Sequence, residues 1–147
     1  MGRFAWRLPA AAFLSLLLLP FLGCHRSGTW IDDPKNFERA LGESPPPGLR
    51  VIHSWYWRSP HFFREEIYYF ELSSLSGYAE AFAAENGLRR LPAGSLSRIP
   101  FDDNRPAWFA PGPLEQYELW RSPSDVITGF ILRDKTNGEI FIYCKQL

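Results

Sequence analysis

The sequence is short of the residues that most often carry chemistry. Cys24 and Cys144 are its two cysteines, and His25, His53 and His61 its three histidines. A metal site would have to be assembled from these together with Glu65 and Glu66. His61 and Glu65 stand four apart, a helical spacing, but the flanking residues have the pattern of strand or turn. No metal and no other cofactor is therefore expected. There is no Gly-rich phosphate loop, no Gly-x-Ser-x-Gly elbow and no His-Glu-x-x-His helix. Adjacent carboxylates say little: Glu65 and Glu66 would point to opposite faces of a strand, and Asp102-Asp103 falls in a Pro-rich loop where Asp serves turns. The one catalytic arrangement left is a hydrolase pairing His53 or His61 with Glu65 or Glu66, and more is expected of binding than of catalysis. Basic excess is missing as well, since 16 Lys and Arg balance 16 Asp and Glu. Phosphate binding needs a basic face, which argues against nucleic acid as a partner. No internal repeat is present.

What the sequence does contain begins at its N-terminus. Arg3 and Arg7 precede an apolar run from Leu8 to Leu22, the pattern of a basic n-region and an apolar h-region. A membrane-spanning helix needs about 20 apolar residues. This run is shorter and carries Pro9 and Pro20, so a cleaved signal is the better reading. It closes on Phe21-Leu22-Gly23-Cys24, which resembles the lipobox of bacterial lipoproteins. Gly23 and Cys24 match that pattern, whereas Leu22 is bulkier than the usual small residue and Phe21 replaces the usual Leu.

The resemblance covers residues 1–24 alone. It implies removal of residues 1–23, a diacylglycerol on the Cys24 thiol and three acyl chains in all. Each buried CH₂ contributes about 0.8 kcal/mol, so no second anchor is required. His25 stands where inner-membrane lipoproteins often carry Asp, so the resemblance implies the outer membrane in a Gram-negative envelope. Without residues 1–23 the chain has 124 residues with 14 basic and 16 acidic groups, enough for one domain with a core. With Cys24 lipidated, Cys144 is the only free thiol and no intrachain disulfide can form. The fold must then stand on packing.

Residues 24–29 read as a short polar tether and 30–147 as a single α+β domain. Asp33 and Pro34 open a helix with apolar Phe37, Ala40 and Leu41 that Gly42 closes. Ser44 to Gly48 form a stiff connector. Leu49 to Arg58 and Glu65 to Ser73 predict two antiparallel strands. Alternation places Val51, His53, Trp55 and Trp57 on one face of the first, and Ile52, Ser54 and Tyr56 on the other. In the second, Tyr68, Phe70 and Leu72 oppose Ile67, Tyr69 and Glu71. Ser74 or Ser76 caps a helix with a stripe of Leu75, Ala79, Phe82 and Ala83, stopped at Asn86-Gly87. Residues 88–113 hold five prolines yet also Ile99, Phe101, Trp108 and Phe109, so this long loop packs on something or is functional. Three strands follow, at Glu115 to Trp120, Val126 to Arg133 and Glu139 to Lys145, with Cys144 packing beside Ile140 and Ile142. The expected order is α-β-β-α-β-β-β, an antiparallel sheet with two helices on one face.

Aromatic residues are the one abundant feature. Trp55, Tyr56, Trp57, Phe62, Phe63, Tyr68, Tyr69 and Phe70 fall in one stretch, and Trp108, Phe109, Tyr117 and Trp120 form a second group. Part of this is core, with the 88–113 loop folded over one side of the sheet. The part left open would present Trp55, Trp57, Tyr69, Trp108 and Trp120, with Arg58, Arg64 and Arg121, to a protein partner or a sugar. The expected function is a lipid-anchored envelope protein acting as a binding module. A carbohydrate- or peptidoglycan-associated module and a His/Glu hydrolase are the alternatives.

Overall fold

The computed structural model describes residues 27–60, 65–74, 77–124 and 126–146. Seven strands make one antiparallel sheet: β1 (Gly28–Ile31), β2 (Arg50–Arg58), β3 (Glu66–Ser73), β4 (Arg89–Leu91), β5 (Tyr117–Arg121), β6 (Ile127–Asp134) and β7 (Ile140–Gln146). Helix α1 (Asn36–Leu41) joins β1 to β2, and α2 (Tyr78–Glu85) joins β3 to β4. The strands lie side by side in the order β1-β2-β3-β7-β6-β5-β4. The chain thus builds one meander, crosses the sheet through α2 to the far edge, and returns through a second meander until β7 pairs with β3.

Both strands added to the expected order are edge strands. β1 occupies Gly28 and Thr29, assigned above to the tether, and its Trp30 packs on Tyr56 of β2 at 5.7 Å. The helix that follows begins later than its sequence suggests, at Asn36. Asp33 still opens it, because its Oδ1 accepts the Lys35 N–H at 2.8 Å and its carbonyl accepts that of Asn36 at 2.9 Å. Gly42 closes it at φ 80°, its N–H reaching the Glu38 carbonyl. β4 arises inside the segment expected to be loop throughout. Helix α2 starts after Gly77, which is left-handed, with no side-chain cap. Leu75 and Ser76 lie outside the described residues.

Alternate residues of each strand feed two cores. On one face Ile67, Tyr69, Tyr117, Leu119, Phe130, Leu132, Phe141 and Tyr143 pack with Ile99 and Phe109 of the long loop. The loop is therefore built into the core, with Phe109 wholly buried 4.8 Å from Tyr69 and 5.4 Å from Phe141. On the other face Phe70, Leu72, Trp120, Ile131, Ile140 and Ile142 pack with Phe37 of α1 and with Ala79 and Ala83 of α2. One sequence expectation is reversed by a β-bulge: the β2–β3 register shifts between Val51 and His53. Val51 pairs with Leu72 and joins the helix-side core, whereas His53 pairs with Glu71 on the loop side. Simple alternation had put Val51 and His53 together.

Candidate functional site

The aromatic residues singled out from the sequence do not form one surface. Tyr69 is fully buried under the long loop, and Trp120 is buried in the helix-side core. The sheet itself separates Trp120 from Trp55, Trp57 and Trp108, which are half-buried on the loop side. Arg58 is not offered to a partner: its guanidinium grips the buried Glu66 carboxylate at 2.8 and 2.9 Å, and Tyr56 donates its hydroxyl to the same oxygen at 2.6 Å. Burial, then that carboxylate, push the Tyr56 phenol up to about 12. Arg121 is exposed on β5 with its guanidinium 5.7 Å over the Phe130 ring. Arg64, His61, Phe62 and Phe63, like Cys24, lie outside the described residues.

His53 and Glu66 do not meet. His53 pairs with Glu71, five residues further along β3 than Glu66, which is about 16 Å at strand spacing. Glu65 is farther still. His53 instead sits 3.3 Å from Asp32 and stacks on the Trp108 ring at 5.3 Å, 24° from parallel. Glu71 faces Glu139, and burial followed by that shared hydrogen bond raises the Glu71 carboxyl above its ordinary value. Among the described residues no three His, Cys, Asp or Glu side chains gather as a metal site.

A recess lies elsewhere, on the helix side. α1 rests on β2 and α2 on β6, strands three places apart in the sheet. At about 4.8 Å per strand the helices stand roughly 14 Å apart, against about 8–10 Å for helices in contact. Over the far half of β3 and β7 this gap is filled by Phe70, Leu72, Ile140 and Ile142 with Phe37, Ala79 and Ala83. Over the near half it is not. There the cross-strand row is Tyr68–Cys144–Gly129, and a thiol and a missing side chain leave a recess of about 200 Å³. Phe82 and Leu88 wall one side and Ala40 the other, while Glu66, Asn86, Ser122 and Gln146 also line it.

The polar groups of this recess are neutral or already matched. Burial raises the Cys144 thiol, with a hydrogen bond to Tyr68 opposing it, and burial pushes the Tyr68 phenol well up, reinforced by Cys144. Both stay protonated near neutral pH, so the thiol is a packing group and a weak nucleophile. Sequence reasoning placed Cys144 with Ile140 and Ile142 but gave no sign of a recess, because the feature depends on helix spacing. The smallness of Gly129 and Cys144 was the available clue. No family model, no curated protein and no solved structure matches the chain.

Proposed function

We propose that the chain is a lipid-anchored protein of a bacterial envelope whose domain is a binding module, an antiparallel sheet that carries both helices on one face and the long loop on the other. The observation that carries this reading is the Arg3/Arg7, Leu8–Leu22, Gly23-Cys24 pattern, with Cys24 only four residues ahead of Gly28 in β1. At most about 3.5 Å per residue, that spacing holds the edge strand within about 14 Å of the lipidated sulfur. No helix among the described residues is long and apolar enough to cross a membrane, so the lipid is the anchor in this reading. Binding is favoured over hydrolysis by His53 with Glu66 because the two are five strand positions apart, and among the described residues no histidine lines the recess.

The test is fractionation of the full chain and its Cys24→Ser variant, with mass analysis of the processed product. The parent is expected in the membrane fraction, cleaved and acylated at Cys24; the variant is expected to lose both acylation and membrane retention. A variant that is processed and fractionates like its parent overturns the reading. Contact with a glycan is a second reading, supported by Trp55, Trp57 and Trp108 standing half-buried on one side of the sheet. A tryptophan-fluorescence titration unchanged across a peptidoglycan-fragment panel removes it.

A further inference from the structure

We infer that the recess between α1 and α2 is a binding site for one small uncharged molecule with an apolar body and a single hydrogen-bonding group. Size sets the body. An apolar cavity of about 150 Å³ takes up benzene, and this one, at about 200 Å³, suits one six-membered ring with a substituent. Phe82, Leu88, Ile127, Ile131 and Ile142 supply apolar walls.

Charge sets the rest. Among the described residues Glu66 is the only carboxylate on the lining, and its Oε1 already takes Arg58 and Tyr56. An anion would meet a carboxylate whose partner Arg58 is already engaged by it, and a cation would have to displace Arg58 from it. The Tyr68 hydroxyl and the Cys144 thiol, paired across β3 and β7 on the floor, are instead the donors and acceptors a neutral hydroxyl or carbonyl can use. Their burial, which keeps both protonated, agrees with an uncharged occupant. Gly129 completes the floor: a Cβ there would meet nothing closer than the Ser122 Cβ at 3.6 Å. That is ordinary van der Waals contact, so a side chain at this position would meet no clash at its Cβ.

The experiment uses the full chain in lipid bilayer discs, with cyclohexanol as probe and cyclohexanecarboxylate and cyclohexylammonium as charged counterparts of the same ring. Cyclohexanol is expected to raise the unfolding temperature saturably and to slow amide exchange on β6 and β7. The two ions should need at least tenfold higher concentration for the same effect. Gly129→Val puts a branched side chain on the floor of the recess and is expected to abolish the response. Gln146→Trp, at an exposed position on the rim, is expected to do the same should Gly129→Val fail to fold. No saturable response to cyclohexanol, an equal response to the ions, or an undiminished response in a folded variant overturns the proposal.

Discussion

Glu66 is a carboxylate with 6% of its surface exposed, and Arg58 and Tyr56 converge on it to offset that burial. Breaking a buried ion pair by removing one partner costs up to about 3–5 kcal/mol, because the remaining charge loses its counter-ion. Arg58→Met should therefore lower stability by about that amount in chemical denaturation, and Arg58→Met combined with Glu66→Leu should recover most of it. Glu71 shows the opposite economy. Its carboxyl is raised in the folded chain by burial and by Glu139, so folding favours its protonated form. The stabilisation is present below the ordinary value of 4.5 and is lost as pH rises through the raised folded value. Glu71→Gln is accordingly expected to raise the unfolding temperature at pH 7 and to change it little at pH 4; melting curves at the two pH values decide it.

Among the elements, the long loop behaves as a structural layer. Phe109 anchors it to Tyr69 and Phe141, Phe101 lies 5.5 Å from Tyr143, and Lys145 of β7 holds Asp102 at 2.8 Å. Phe109→Ala should cost about 3–5 kcal/mol, as large aromatic truncations in a core do, and should raise exchange of the loop amides before those of the sheet. The Lys145 ammonium, seconded by the Asn104 N–H, holds the Asp102 carboxyl below its ordinary value. That contribution is present above 3.8 and fades as pH falls through the lowered folded value, so hydrogen exchange should show the loop loosening in acid, and Lys145→Met should remove that dependence.

The sequence made β2, β3, β5, β6 and β7 legible through alternation, and α2 through its Ala/Phe stripe and Asn86-Gly87 stop. It hid β1 and β4, which are four and three residues long and too short for any period to show. The bulge at Val51–His53 was hidden for a different reason: one inserted residue inverts the face of everything beyond it without changing composition. The aromatic residues were visible as a group, but their division between two faces of one sheet depends on pairing, which puts Trp120 and Tyr69 out of reach of any partner. The recess was the least legible feature, being an effect of what two helices three strands apart fail to cover.

At the scale of the molecule, the strands most deeply enclosed are β3, β7 and β6, where the two cores meet back to back. Native-state exchange should therefore rank the amides of Phe70, Ile142 and Ile131 slowest, and those of β1 and β4 fastest, with opening of the edges preceding global unfolding. Uniform protection across all seven strands would contradict that order. The middle place in the sheet belongs to β7, the last of the described strands in chain order, flanked by β3 and β6. Until it arrives, the first three strands and the preceding three are separate ribbons with open edges and half-exposed cores, and its pairing with β3 spans about half the chain. Closing such distant segments is slow. The folded form therefore stays out of reach until β7 has been made, so any fragment that stops short of β7 would hold two unjoined ribbons.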